Sequence, residues 1–298
     1  MNTAVPYFGE FLALLTAITW AFAVILFKKS GESVHPIALN VFKNSLAFVL
    51  FLLTMIIMGQ AIYRDAPLND YLLLLLSGIL GIGIGDTLFL WSLNLLGAGL
   101  QAIVNCMYAP SIIILSFFWL DERMSIWQLV GVVMIVSAVL MAISRKGKGP
   151  ISTRNLVLGI ILGIIATTAM AVGIVSIKSL LERSPLLWVT EVRLLGGLLG
   201  LGLVLILHPR RRAIMATWHS KLSWRYTLSG SFIGAYLAMV LWLAGMKLAK
   251  ASIASALNQM SNVFVFIFAA WLLREPINMQ RLAGIFLGVS GALLVMFG

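Results

Sequence analysis

The chain has 298 residues, of which 61% are hydrophobic and 10% are charged, and its formal net charge is +11 at pH 7. A soluble domain carries about 25% charged residues, so this composition excludes a soluble globular protein. The positive charge could indicate a nucleic-acid partner, but basic loops that face anionic lipid on the cytoplasmic side account for it. We therefore expect a lipid bilayer as the surroundings and no nucleic acid.

Ten apolar stretches follow one another along the chain, separated by short polar breaks. Each has about 18–25 residues, which is enough for a helix to cross a hydrocarbon core of roughly 30 Å. The sequence therefore predicts an all-α integral membrane protein with ten transmembrane helices. They are expected near residues 10–27, 37–58, 71–95, 100–120, 126–143, 156–180, 186–207, 226–248, 253–273 and 281–297.

The two halves of the chain resemble each other in their polar residues. A shift of 153 residues places Asn105 on Asn258, and a shift of 150 places Lys43 on Arg193. Because five is odd, a second five-helix unit enters the membrane from the opposite side, and such inverted repeats are characteristic of alternating-access transporters. We predict two inverted five-helix repeats in one integral domain, one over residues 1–148 and one over residues 149–298.

Three features carry a family resemblance. Trp20 is followed by Lys28 in the first helix, and the second helix of each repeat contains a basic residue. The acidic turn Leu120-Asp121-Glu122-Arg123 is echoed by Leu273-Arg274-Glu275-Pro276. With these features the whole chain resembles a ten-helix, EamA-type member of the drug/metabolite transporter superfamily, although Met170 replaces the tryptophan in the second repeat. The resemblance implies a metabolite carrier, often an exporter of amino acids or related compounds, with a substrate path between helices 1, 3, 4, 6, 8 and 9.

The loop charges and the resemblance disagree about orientation. Lys and Arg are about twice as frequent in the loops after odd-numbered helices as in those after even-numbered helices. The positive-inside rule then places the odd loops in the cytoplasm and both termini outside. The resemblance instead implies that both termini are inside. We predict the charge-based orientation, in the cytoplasmic (inner) membrane of a bacterium.

Four ionisable residues lie within predicted membrane helices, where charge is costly and therefore needs an explanation. Asp86 follows a glycine-rich run in helix 3 and could bind a substrate ammonium group or couple transport to protons. Its alternative role is a structural ion pair with Lys43 of helix 2. Glu191 and Arg193 of helix 7 point to different faces. For these two and for Lys43, a structural ion pair or snorkelling is the alternative to a role in coupling.

Helices 4 and 9 each carry a polar stripe along one face. The stripes consist of Gln101, Asn105 and Tyr108 in helix 4, and of Ser255, Asn258 and Asn262 in helix 9. They predict a hydrogen-bonding substrate cavity near the membrane midplane, and the alternative is hydrogen bonding between packed helices. Hydroxyl and aromatic side chains of other helices could complete the cavity or contact a cationic group. These are Thr16, Trp20, Thr167, Tyr236 and Trp242.

Two further features concern helix geometry. Pro110 predicts a kink in helix 4, and because Val263 stands at the equivalent position of helix 9, we expect the kink in one repeat alone. Helix 10 carries Gly284, Gly288 and Gly291 on one face, which is typical of a close packing surface. Helices 5 and 10 are therefore interpreted as scaffold or as a dimer surface.

The sequence contains no recognisable motif for metal binding or phosphate binding. The histidines fall in predicted loops without metal-ligand spacing, and no glycine-rich phosphate motif precedes a basic residue. We expect no cofactor, no metal and no enzymatic activity. The leading prediction is a secondary active transporter, a monomer or homodimer, that moves a small polar metabolite, with an amino acid and export favoured and protons as a candidate coupling ion. The alternatives are a membrane-embedded enzyme acting on a lipid-linked substrate and a non-transporting membrane partner protein.

Overall fold

The computed structural model describes residues 7–120, 125–143, 151–219, 223–248 and 257–297. All regular secondary structure in these ranges is helical, as predicted. Ser255 of the predicted polar stripe and the turn residues Asp121, Glu122 and Arg123 lie outside the described ranges.

The described residues form ten apolar helices. They are α1 (Phe8–Ser30), α2 (Pro36–Ile57), α3 (Leu68–Leu96), α4 (Ala98–Trp119), α5 (Ile126–Met141), α6 (Thr153–Val175), α7 (Leu186–Leu207), α8 (Trp224–Met246), α9 (Leu257–Leu272) and α10 (Met279–Phe297). Eight of them are long and apolar enough to cross a membrane, whereas α5 and α9 are shorter. Two short helices, Lys178–Arg183 and Arg211–Ala216, follow α6 and α7.

The helix ends follow local signals in the sequence. Pro36 occupies the first turn of α2, where its missing N–H would have no helical partner. The backbone N–H of Asn155 donates to the Ser152 hydroxyl oxygen and caps α6. α6 ends at Val175, earlier than predicted, because the Ser176 hydroxyl donates to the Gly173 carbonyl and competes with the helical bonds there. The last three residues of the predicted helix belong to the short helix Lys178–Arg183.

Two of the helices contain a π-helical segment, in which each N–H bonds to the carbonyl five residues earlier. One segment is Ile79–Gly85 in α3, and the other is Ser231–Leu237 in α8. Asp86 is the first residue after the α3 segment. π-helical turns often occur at functional sites because the wider turn redirects the side chains that follow.

α4 is interrupted at Cys106 and Met107, between Ala98–Asn105 and Tyr108–Leu120. Because Pro110 has no N–H, it cannot bond to the carbonyl of Cys106, and the regular helix stops there. α9 is interrupted as well, at Met260, whose N–H donates to the carbonyl of Leu257 in a tighter turn. An interruption is therefore present in both helices, and a short turn of this kind needs no proline.

Glycines allow two pairs of helices to approach closely. A Cβ on Gly131 of α5 would lie 2.6 Å from the carbonyl oxygen of Gly291 in α10, and a Cβ on Gly291 would lie equally close to the carbonyl of Gly131. A Cβ on Gly78 of α3 would lie 2.0 Å from the carbonyl oxygen of Arg193 in α7. The α5–α10 contact gives the glycine face of α10 a partner inside the chain.

Candidate functional site

A pocket lies beside an ion pair between α2 and α3. The empty space there is about 320 Å³, part of which is open solvent. Both charges, one amide and several apolar or aromatic side chains form its wall. The lining residues are Trp20, Phe27, Lys43, Asp86, Phe89, Leu90, Asn105 and Met170.

The ion pair joins the Nζ atom of Lys43 to the Oδ2 atom of Asp86. The Lys43 side chain is 7% exposed and that of Asp86 is 21% exposed, so the carboxylate is the more accessible partner. The ammonium group also lies 6.0 Å from the ring centroid of Phe27. The two charges compensate each other in this apolar setting. Removal of either side-chain charge would leave the other buried without a counter-charge.

Asn40 fixes α2 against the segment that positions Asp86. Its Nδ2 atom donates to the carbonyls of Ile82 and Gly83, at 2.8 and 3.3 Å, and to the Thr87 hydroxyl at 2.9 Å. Asn44 in turn donates to the Asn40 Oδ1 atom at 2.7 Å. These bonds satisfy carbonyls of the π-helical segment and hold the turn that leads into Asp86.

Asn105 enters the pocket at the interruption of α4. Its Nδ2 atom donates to the Oδ1 atom of Asn262 at 3.0 Å, and Asn262 donates to Gln259 at 3.2 Å. The two predicted stripes are therefore joined by Asn105 and Asn262 and not by the repeat equivalents Asn105 and Asn258. Asn258 is partly buried and is not among the lining residues.

Three other predicted polar residues lie in packed helix surfaces. The hydroxyls of Thr16 and Thr167 donate to the carbonyls of Leu12 and Ile164 on their own helices. Gln101 is 1% exposed, and its Oε1 atom accepts a hydrogen bond from the Ser92 hydroxyl. Since all three are buried and absent from the lining, the structure assigns them to helix packing in this conformation.

The predicted aromatic residues divide in a similar way. Trp20 lines the pocket, and its ring meets Phe27 edge-on with 6.4 Å between the ring centroids. The Tyr236 hydroxyl instead lies 2.8 Å from that of Thr54, in the contact between α2 and α8. Tyr108 and Trp242 are partly exposed and do not line the pocket. Trp20 is thus the predicted aromatic residue that reaches the pocket.

Arg193 and Glu191 occupy different environments although they are two residues apart on α7. The Arg193 Nε atom donates to the Ser77 hydroxyl at 3.0 Å, and that hydroxyl donates to the Gly173 carbonyl. Glu191 is 6% exposed, and neither carboxylate oxygen has a hydrogen-bond partner among the residues that the structure describes. The structural pair considered for Glu191 is not found there.

Four lining residues were not predicted as site residues, although each had a signal in the sequence. Phe89 and Leu90 are three and four residues after Asp86, which places them on its face of the helix. Phe27 is seven residues after Trp20, two helical turns along the same face. Met170 occupies the position of Trp20 in the second predicted repeat. The available signals were thus a shared helix face for three of the residues and an equivalent place in the predicted repeat for Met170.

Two residues of the family motifs lie near the start of α4. The N–H groups of Ala98 and Gly99 donate to the Oε1 and Oε2 atoms of Glu275, at 2.7 and 3.1 Å. Gly97, which precedes the helix, has a φ of 82°, a conformation that other residues rarely adopt. Lys28 donates to the carbonyl of Asn94 at 3.0 Å. Glu275 thus caps the helix that presents Asn105 to the pocket.

No group of three or more His, Cys, Asp or Glu side chains is placed to hold a metal ion within the described part of the chain. The pocket wall itself offers one cation, one anion, one amide and aromatic rings.

Comparisons with known proteins agree with a transport role. The sequence profile of the EamA-like transporter family matches residues 7–144 and 157–297. An uncharacterized transporter of Archaeoglobus fulgidus is 26% identical over 290 residues, which cover 96% of each chain. The uncharacterized transporter YvbV of Bacillus subtilis is 24% identical, over 94% of this chain and 91% of its own. A crystal structure with 17% identity and a TM-score of 0.65 covers 96% of this chain and 94% of its own, and shares the fold. Because the profile covers most of its length, the chain belongs to the EamA-like transporter family.

Proposed function

We propose that the protein is a secondary active transporter that binds a zwitterionic amino acid at the Lys43–Asp86 pair. The pair itself is the observation that carries the proposal, because it places opposite charges side by side in one pocket. The substrate α-carboxylate would replace Asp86 as the partner of Lys43. The α-ammonium would replace Lys43 as the partner of Asp86.

The charge pattern favours a zwitterion over other metabolites. A purely cationic substrate would meet the Lys43 ammonium, and a purely anionic one would meet the Asp86 carboxylate. Trp20, Phe27 and Phe89 surround the charges with aromatic surface, which favours an apolar side chain on the substrate. Leucine and phenylalanine are the representative substrates.

Alternating access is supported by features that recur in both halves of the chain. The π-helical segments in α3 and α8 start 152 residues apart, at Ile79 and Ser231. α4 and α9 are both interrupted near their asparagines. Two equivalent units of this kind can exchange their roles, and each exchange would expose the pocket to the other side of the membrane. Export across the inner membrane of a bacterium is the direction that we propose.

Ligand-induced stabilisation tests the substrate class. Purified protein is heated with leucine or phenylalanine, or with a derivative that lacks one charge. The methyl ester removes the carboxylate and the N-acetyl form removes the ammonium. We expect the free amino acids to raise the melting temperature and both derivatives to leave it unchanged. Equal stabilisation by a derivative would show that one of the two charges does not take part.

Flux in liposomes tests transport itself. Vesicles that contain the protein and unlabelled leucine should take up radiolabelled leucine by exchange, faster than vesicles without protein. Binding without exchange would contradict a carrier and favour a non-transporting membrane protein.

A further inference from the structure

The carboxyl group of Glu191 does not line the proposed substrate pocket. It lies inside α7, 6% exposed, and both of its oxygens are buried without a hydrogen-bond partner among the described residues. An ionised carboxylate in such a place would have no counter-charge among the described residues and would be removed from bulk water, which is costly within a membrane. A carboxyl group that carries a proton avoids this cost, so the position is suited to bind one.

The elements that pack against α7 are α2, α3 and the short helix Arg211–Ala216. Their charged groups are Lys43, Asp70, Asp86, Arg211 and Arg212. Lys43 and Asp86 pair with each other, Asp70 pairs with Arg183, and Arg211 donates to the carbonyl of Ile206. Arg212 is exposed. None of the described charged groups on these elements is therefore a hydrogen-bond partner of Glu191.

Ionisable groups on the remaining neighbours do not bond to Glu191 either. On α7 itself, Arg193 donates to Ser77. Tyr71 of α3 donates to the carbonyl of Arg64. The short helix Lys178–Arg183 is adjacent to the Trp188 cluster through Leu180, and it carries Lys178, Glu182 and Arg183. None of these groups forms a hydrogen bond with the Glu191 oxygens.

A series of incompletely bonded polar side chains leads from Glu191 toward one face of the bundle. Trp188 lies one turn before Glu191 on the same side of α7, and its buried Nε1 atom has no acceptor among the described residues. The Arg64 guanidinium lies 5.8 Å from the Trp188 ring, with a buried Nη1 atom that also lacks a partner there. Gln60, in the connection between α2 and α3, has an unpartnered Oε1 atom. Buried polar atoms of this kind are usually satisfied by water.

We propose that Glu191 is a proton-binding site, which protons reach through water past Trp188 and Arg64, from the face that holds the α2–α3 and α6–α7 connections. This proposal rests on the proposed function, because the proton bound at Glu191 would be the coupling ion of that transporter. The substrate pocket lies toward the opposite face, since Phe27 and Phe89 belong to the later halves of α1 and α3. Proton and substrate would thus use different ends of the bundle.

Infrared spectroscopy of the full-length protein in lipid tests the proton site without any substrate. A protonated carboxyl group absorbs as a carbonyl, which an ionised carboxylate does not. We expect this band at neutral pH in the wild type and its loss in Glu191→Gln. The matched control is Glu182→Gln, which removes an exposed carboxylate near the same face and should keep the band. Absence of the band from the wild type, or its persistence in Glu191→Gln, would overturn the proposal.

The fold and the transport cycle supply two more readouts. Glutamine closely resembles a protonated glutamate, so Glu191→Gln should melt at the wild-type temperature at neutral pH, and a clear drop would indicate an ionised, partnered carboxylate. In liposomes, Glu191→Gln should lose leucine accumulation driven by a pH gradient and retain leucine exchange. Retained pH-driven accumulation would overturn the coupling role. If the wild type moved no leucine, the proposed function would fail, while the infrared band would still decide the proton site.

Discussion

Trp20 and Met170 line the same pocket, and they occupy equivalent positions in the two predicted repeats. One wall is thus a rigid aromatic ring and the other a flexible thioether, which adapts to irregular shapes. If the repeats exchange their roles during transport, the substrate would contact different chemistry in the two states. The pocket is therefore chemically asymmetric at these two positions of the predicted repeats.

The ion pair is the first feature to test by mutation. Asp86→Asn should abolish leucine transport and exchange while folded protein remains in the membrane. It leaves the ammonium group of the Lys43 side chain, which is 7% exposed, without its counter-charge, and breaking a buried pair in this way costs about 3–5 kcal/mol. Liposome flux and thermal melting measure the two effects.

Two variants provide the controls for this experiment. Asp70→Asn breaks another ion pair of α3, with Arg183, whose side chain is 58% exposed, so its effect on melting should be small. The double variant Lys43→Met with Asp86→Leu should recover stability but not transport. Normal flux in Asp86→Asn would show that the carboxylate only supports packing.

Chemical labelling tests the position of Asn105. In a Cys106→Ala background, Asn105→Cys should react with a water-soluble thiol reagent, and leucine should slow the reaction at least several-fold. Thr167→Cys, at a position with 0% exposure, should stay unreactive. Asn258→Cys should react in the state that faces the other side of the membrane. Complete inertness of both asparagine positions would mean that the stripes serve packing alone.

Glu275 should stabilise the start of α4. Glu275→Ala removes the acceptor for the N–H groups of Ala98 and Gly99, and loss of such a cap typically costs about 0.5–2 kcal/mol. Gly97→Ala should also destabilise, because its Cβ would lie 2.7 Å from a Glu275 oxygen at a positive φ. Glu32→Gln, which breaks an exposed pair with Lys29, should leave melting nearly unchanged.

His35 should make stability fall in mild acid. It is half-buried between α1 and α2, and burial, followed by the nearby His208, lowers its pKa. Its Nδ1 atom accepts a hydrogen bond from the N–H of Ile37 at the start of α2. Because the folded pKa is the lower one, the unfolded chain binds the proton first. The contribution of neutral His35 to the stability of the fold is present above about pH 6.5, the ordinary histidine pKa. It is lost as the pH falls through the lowered pKa of His35 in the folded protein.

Melting temperatures between pH 7.5 and roughly pH 5 measure this effect on either side of the histidine pKa. His35→Asn keeps a side chain that can cap a helix but does not titrate, so its melting temperature should depend less on pH. An identical pH dependence in both proteins would assign the effect to other groups.

The orientation predicted from the loop charges is open to a direct test. Both termini should face away from the cytoplasm, because the more basic loops follow odd-numbered helices. A C-terminal reporter that is active only in the cytoplasm should give no signal. A bright reporter would support the orientation that the family resemblance implies.

Hydropathy predicted the ten helices well because the membrane imposes their length and apolarity. It could not predict the π-helical turns or the interruption at Met260, since these alter which backbone atoms bond without changing the apolar pattern. Lys43, Asp86, Trp20 and Asn105 were predicted because polar and aromatic residues are conspicuous in such helices. Thr16 and Thr167 lie outside the pocket lining, which their sequence pattern could not show, since a hydroxyl can bond to its own helix backbone and needs no cavity.

The π-helical segments in α3 and α8 also bear on the proposed duplication of the five-helix unit. They start 152 residues apart, so if the unit was duplicated, as we propose, the wider turn was already present in it. Asp86 follows the first segment and Ala238 follows the second. Under that proposal, a turn that both halves share presents a carboxylate in one half and a methyl group in the other.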